Sequence, residues 1–465
     1  MSENFIELNP ANYTDFSQDI IINDTNSIYL MYGTYKIKRF IVNQNCNVKV
    51  IPRYRNWIEL VGGNWVYKTN RNINDLNPEH GKLTVIADYI EINGTIDASG
   101  AGYIGGGGGI GGMGGQDRQW HAHPKPIKGF GYQDGKDDRG YNVNYYHTGS
   151  EGCAGGDGEG PTKGKGGGYT NKTGIYANGM NGFNGEDAFA NINDSFDLNA
   201  DFGSGGGGAG GGAGGGGNVA YEKTGGGGGG GAGGGCGGGV IRLFSRFKFI
   251  LGNNGYIKAN GKCGYNGERG YHGGLITNPS NQVYGIVNGT NYYIGGYKFY
   301  EIHKLQYVVG SYYYVPGRGG NGGHSFPSYP YNNINDVGNG GNFAYMSNFL
   351  RYSTTSGRSG KGGYGGGGSG GSIIIGFGFL VDNITPAYYN SSINPGDFIL
   401  NGTIEALGMS RNLNNSINLS NKNGGTIKIF TIDKNQIIYK YLSYKNQNIK
   451  SSKNLIYHIN HKVLY

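Results

Sequence analysis

Hydrophobic and polar residues alternate most cleanly in VIRLFSRFKFIL, residues 240–251. Ile241, Leu243, Phe247, Phe249 and Leu251 fall on one face of an extended chain, and Arg242, Arg246 and Lys248 fall on the other. A period of two marks a strand with one buried face. Comparable segments are KLTVIADYIEI (82–92), SIIIGFGFLV (372–381) and DFIL (397–400). Shorter ones fill residues 20–92: DIIIN, SIYLMYGTYKIKRFIV, CNVKVI and WIELVGGNWVY. No stretch carries the caps and 3.6-residue period of a helix of more than a few turns. The pattern predicts an all-β protein.

Three of these strands run into one octet. It reads NGTIDASG at Asn93–Gly100, NGYIKANG at Asn254–Gly261 and NGTIEALG at Asn401–Gly408. A weaker fourth start, NGGTIKIFTI, occupies 423–432. The Asn-Gly pairs Asn93-Gly94, Asn254-Gly255 and Asn401-Gly402 tolerate positive φ and predict tight turns. Ile96 and Ala98, Ile257 and Ala259, and Ile404 and Ala406 are each two residues apart and share a strand face. The charged residue between them points the other way. Gly100, Gly261 and Gly408 turn the chain again. Strand, corner, short strand and corner suit a coil of a parallel β-helix or the edge of stacked β-sandwich units. The copies lie 161 and 147 residues apart, so they anchor large units rather than simple tandem coils.

Next to the octets stand glycine tracts: Gly105–Gly115, Gly203–Gly217, Gly225–Gly239 and Gly360–Gly371. A flexible linker would join separate globular pieces, whereas these adjoin the repeat. The alternative is polyglycine in the polyproline-II conformation, with three residues per turn and no internal hydrogen bonds. Buried, every backbone N–H and C=O needs a partner. Side-by-side packing supplies one only if the backbones approach as closely as glycine allows. The expected fold is therefore all-β, a parallel β-helix or stacked β-sandwich units with packed polyglycine-II helices. Ala209, Ala213, Ala232 and Cys236 are expected where that lattice meets its surface.

Composition narrows the class. The chain of 465 residues holds 97 Gly and 39 Tyr but only 12 Pro, with no Gly-X-Y period, which excludes collagen. Aromatic residues at 13% argue against disorder. The net charge of +8 is spread along the chain, with a modest basic excess after Lys434, so no nucleic-acid partner is expected. Four cysteines without a CxxC pair give neither a zinc signal nor a disulfide scaffold. MSENFIELNP has neither the basic nor the apolar region of a secretory signal peptide. No 18-residue apolar run occurs, so no membrane span is expected. These features predict a chain made in a cytoplasm that reaches a virion or extracellular surface by lysis, particle release or an unusual export route.

The order strand, NGTIDASG, glycine tract resembles glycine-rich β-helical surface and fibre proteins of large DNA viruses and low-GC bacteria. The likeness covers about 35–130, 203–265 and 360–432. The tracts of 203–239 are similar to the polyglycine-helix bundles of phage tail-fibre adhesins and of the glycine-rich domain of the anaplastic lymphoma kinase receptor. The chain departs from the adhesins in size and in its long N-terminal strand region. It also lacks the receptor's secretion signal. The resemblance implies a structural or adhesive role at a surface.

Catalytic chemistry is hard to place. GxGxxG patterns follow from composition, and none opens a helix. There is no P-loop and no GxSxG elbow with partners. Asp134, Asp137 and Asp138 read as a solvated turn. His121 and His123 lack a third ligand nearby. GGDGEG at 155–160 occurs once, without the period of a calcium-binding repeat. No enzyme, cofactor or metal site is expected.

The chain divides into an N-terminal arm (1–20), β-coils with the first octet and tract (21–115), and a polar insertion (116–200). A second unit follows (201–267), then a Tyr-rich β insertion (268–356), a third unit (357–432) and a C-terminal cap or anchor (433–465). Tyrosine offers contact area with a polar tip at low entropic cost. Tyr292, Tyr293, Tyr312, Tyr313 and Tyr314 are therefore candidates for a recognition surface, against packing in the insertion's own core. The expected function is a structural surface protein of a virion, fibre or filament that attaches to a host glycan or surface protein. The alternatives are a self-associating lattice or filament subunit without a receptor, and a β-helix polysaccharide depolymerase.

Overall fold

A computed structural model describes residues 4–112, 152–171, 178–214, 228–267, 359–380, 397–431 and 449–458, apart from short interior gaps, with isolated strands between 274 and 388. Strands dominate. Among the described residues the only helical elements are the short 3-10 turns Pro10–Asn12, Arg55–Trp57 and Ile73–Asp75.

Two parallel sheets form the body. The long-strand sheet runs Asp19–Ile22, Gly33–Val42, Lys82–Ile92, Val240–Leu251, Ser372–Phe377, Thr426–Thr431 and Lys453–His458, in that spatial order. Phe398–Leu400 pairs with the far end of Val240–Leu251 and so continues the position of Ser372–Phe377. The short-strand sheet runs Asn4–Glu7, Ser27–Met31, Asn47–Val50, Thr95–Asp97, Tyr256–Lys258, Thr403–Ala406 and Ile449–Ser451. The chain visits the two sheets alternately, and each visit adds a strand beside the last. Residues 4–7, within the stretch read as an arm, are already the first strand of the short-strand sheet.

The octets stack on one another. Ile257 is in register with Ile96 on one side and Ile404 on the other. These isoleucines and Ala98, Ala259 and Ala406 are all buried in the single core between the sheets. Facing them are long-strand residues such as Val85, Leu243, Ile375 and Ile429. Apolar burial of this kind contributes roughly 25 cal/mol per Å², and in-register stacking gives each rung a neighbour on both sides.

Two local expectations are corrected. Positive φ does not make the Asn-Gly corners, since among the described residues the positive-φ glycines are Gly33, Gly81, Gly100, Gly160 and Gly378. Glycine is required at Gly94, Gly255 and Gly402 by close approach instead. A Cβ there would run into the carbonyl oxygens of Asn43, Ile92 and Gly255 respectively. In 240–251 the alternation breaks. Ser245 pairs with Ala87 and Lys248 with Tyr89, so Arg246 and Phe247 together oppose Asp88. At this bulge Phe247 leaves the buried face, while Ile241, Leu243, Phe249 and Leu251 stay in the core. Phe247 is exposed, and Arg246 pairs with Asp88 and covers the ring of Phe16.

The glycine tracts are built into the fold. Gly206, Ala209 and Gly212 donate their N–H groups to Gly235, Ala232 and Gly229 and accept from Gly106, Gly109 and Gly112. Gly207, Gly210 and Ala213 donate to Glu186, Phe183 and Met180 and accept from Gly366, Gly363 and Gly360. Gly205, Gly208 and Gly211 donate to Glu159, Gly156 and Cys153, and the first two accept from Gly164 and Gly167. The segment 203–213 is thus ringed by six others, near 102–112, 152–159, 162–168, 178–189, 228–238 and 359–369, with bonds repeating every third residue. Three of the six lie in or beside the glycine tracts, and the other three, 152–159, 162–168 and 178–189, come from the stretch read as a polar insertion.

Ala209, Ala213, Ala232 and Cys236 do not lie at the lattice surface. All four are fully buried, and Cys236 packs with Tyr54, Trp57 and Ile104 where the array meets the sheets. Alanine is tolerated inside because the adjacent glycines, not these positions, carry the tightest backbone approaches. A Cβ on Gly208 or Gly210 would strike the carbonyl of Gly107 or Gly168.

Candidate functional site

The outer segment at 178–192 is written in triplets: NGM, NGF, NGE, DAF, ANI. Each position of the triplet has one task. The second faces the central segment, where a Cβ on Gly179, Gly182 or Gly185 would meet the carbonyl of Ala213, Gly210 or Gly207. The first bonds to the next segment. Asn181, Asn184 and Asp187 accept through Oδ1 from the amides of Lys361, Tyr364 and Gly367, at 2.9, 2.9 and 2.7 Å. Gly182, Gly185 and Ala188 donate back to the carbonyls of the same three residues. The array ends here, and these side chains supply partners that a further glycine segment would otherwise provide.

The third position points outward. Met180, Phe183, Phe189 and Ile192 are 43%, 49%, 65% and 50% exposed. Glu186 occupies the place between Phe183 and Phe189. A three-residue turn rising about 3.1 Å per residue spaces successive members about 9 Å apart. The row lies between the segment 162–168, to which Glu186 and Phe189 donate at Lys165 and Thr162, and the segment bearing Lys361 and Tyr364. It is a regular apolar row on a backbone-bonded support, with cationic chains near both flanks. Sequence reasoning missed it, although the Asn-Gly-X triplet was there to be read.

The tyrosines of the insertion fall in two small antiparallel units. Tyr292 and Tyr293 are on Thr290–Tyr293, which forms a hairpin with Tyr284–Val287. Tyr312, Tyr313 and Tyr314 are on Tyr312–Val315, the middle strand of a three-stranded sheet with Gly274–Ile276 and Tyr307–Val309. The backbone brings Tyr314 opposite Tyr307 and Tyr292 opposite Gly285. Most of the rest of 268–356 lies outside the described residues, as do His121, His123, Asp134, Asp137 and Asp138.

Among the described residues, no group of three or more His, Cys, Asp or Glu side chains is placed to hold a metal ion. No helix among them is long and apolar enough to cross a membrane. None of the four cysteines is in a disulfide. Burial pushes the Cys236 thiol up to about 12, which makes it a packing residue rather than a nucleophile. His80 is buried against Tyr32, and burial, with the Arg55 charge, holds it below its ordinary value.

Comparison with protein-family models, curated proteins and solved structures finds no match for this chain.

Proposed function

We propose that the chain is a structural surface protein, a subunit of a virion surface, fibre or extracellular filament, which attaches to a host surface through faces held on a rigid frame. In this reading the alternating parallel strands are the coils of a β-helix. The segments around 203–213 are polyglycine-II helices that extend it sideways. Their three-residue hydrogen-bond period supports that identification.

The observation that carries the proposal is the exposed row Met180, Phe183, Phe189 and Ile192. Scattered exposed apolar side chains need no explanation, but these four recur at the third position of successive triplets along one outer edge, with Glu186 the one interruption. Holding the row on a ladder of backbone and Asx bonds reduces the ordering cost of binding. The tyrosine strands at 284–315 would supply a second face.

A lattice or filament subunit without a receptor is the second reading. It is favoured by the sheet ends, where Asn4–Glu7 with Asp19–Ile22 and Ile449–Ser451 with Lys453–His458 are the terminal strands. Terminal strands offer a template for another copy.

The test is binding of labelled full-length protein to host cells, alongside a variant lacking 268–356 and one with Met180, Phe183, Phe189 and Ile192 all changed to Ser. Binding lost in either folded variant supports attachment. No cell binding, with concentration-dependent polymerisation, supports the lattice subunit and removes attachment. Release of reducing sugar from a polysaccharide would remove both.

A further inference from the structure

Lys428 sits on the long-strand sheet, in Thr426–Thr431, and is 1% exposed. Its Nζ is surrounded by oxygens from a single stretch, 193–199. Asn193 Oδ1 lies at 3.1 Å, Ser195 O at 2.9 Å and Ser195 Oγ at 3.4 Å. Asp197 O lies at 3.3 Å, Asp197 Oδ1 at 3.2 Å and Asn199 O at 3.2 Å. An ammonium has three protons to donate, so six oxygens at this range form a coordination shell rather than a set of separate hydrogen bonds.

The spacing of these oxygens is informative. They come from alternate residues, 193, 195, 197 and 199. Hard divalent cations such as calcium take 6–8 oxygens, and a calcium loop draws them from its positions 1, 3 and 5 and from the carbonyl at position 7. Here Asn193, Ser195 and Asp197 offer side-chain oxygens and Asn199 a carbonyl, in the same order. The loop is braced independently of the lysine. Ser195 N and Asn199 N donate to Asn193 Oδ1 and Asp197 Oδ1, at 3.3 and 3.0 Å, and Asn193 Nδ2 donates to Asp201 at 2.9 Å. Burial acts to raise the Asp197 carboxyl, but hydrogen bonds from Ser195, Asn199 and Lys428 more than offset it and hold it below its ordinary value.

We propose that 193–199 is a hard-cation loop whose resident cation is the Lys428 ammonium, and that it takes calcium when that ammonium is removed. The tethered cation fixes the join between the outer segment 178–192 and the central segment that begins at 203. Neighbouring bonds share the task. Thr426 Oγ1 donates to Asn191 O at 3.2 Å and accepts from Asn193 N at 2.9 Å, and Asp201 N donates to Ser372 Oγ at 3.1 Å. The clamp thereby locks the glycine array to the sheet without depending on dissolved metal.

The experiment compares thermal melts of the full-length protein and its Lys428→Met variant, with calcium chloride up to about 10 mM, above the range of weak extracellular sites. The native protein should not respond. The variant should melt lower without calcium and regain Tm by about 2 °C or more with it. Adding Asp197→Asn to the variant should abolish the recovery. If Lys428→Met fails to fold, refolding in calcium is the readout, repeated with Lys428→Gln. No recovery in either variant overturns the proposal. So does an equal calcium response in the native protein, because Lys428 would then not be the occupant.

Discussion

Lys258 lies in register with Asp97 on the adjoining strand, its Nζ 3.7 Å from Oδ2. The pair is part of a longer ladder. Lys49, Asp97, Lys258, Glu405 and Lys450 occupy one row of the short-strand sheet, with charges that alternate in sign. Lys450 reaches Glu405 at 3.0 Å, and Glu405 is 3% exposed. Opposite charges across neighbouring strands stabilise a sheet, and like charges oppose it. The ladder therefore fixes which octet stacks on which.

This row sets an acid limit. Burial acts to raise Asp97, but the Lys258 and Lys262 charges and Ser99 hydrogen bonds more than offset it, so it titrates below its ordinary value. Burial likewise acts on Glu405 and is outweighed by hydrogen bonds from Tyr256, Lys450 and Asn260. Folded values below the unfolded ones give stability that is present above the unfolded pKa and lost as pH falls through the folded one. Stability should hold down to about pH 4.5 and fall below it. Lys258→Met should cost about 1–3 kcal/mol near neutral pH, since it strands a charged partner, and should move the acid loss to higher pH. Denaturant melts from pH 3 to 7 check both.

The lattice predicts opposite outcomes for two changes in the same neighbourhood. Gly210→Ala places a Cβ against the Gly168 carbonyl and should cost about 3 kcal/mol or more. Phe183→Ser removes a half-exposed ring from the outer row and should change stability by less than about 0.5 kcal/mol while weakening surface binding. Thermal melts beside the cell-binding assay separate the two.

Thiol reactivity reports on the array. Cys263 is partly exposed, whereas Cys46, Cys153 and Cys236 are buried. One thiol should react quickly with a neutral-pH thiol reagent, and the other three only when denaturant opens the fold. Rapid reaction of Cys236 would mean that the array separates from the sheets in the native state.

Much of the body was legible. The octets were legible as equivalent strands, because Ile96, Ile257 and Ile404 sit at the same place in each, but their in-register stacking was not, since 147 and 161 residues separate the copies. The bulge at Arg246 and Phe247 was not, since alternation alone cannot reveal two residues opposing Asp88. Nor was the reason for glycine at Gly94, which lies in the carbonyl of Asn43 and not in its own φ. The Lys428 clamp joins groups more than 200 residues apart in sequence, and a single lysine in a strand carries no local sign of its cage. The outer row was readable as triplets, but only to an eye set for a period of three instead of two.

The most direct test of a rigid glycine frame is amide hydrogen exchange, followed by mass spectrometry, in peptides covering Gly205–Ala213. Each of these N–H groups donates to a neighbouring segment, and exchange should require sub-global opening. Protection comparable to that of the strand Val240–Leu251 is the expected result. Exchange at the rate of an unstructured glycine chain would contradict it and return the tracts to the status of linkers.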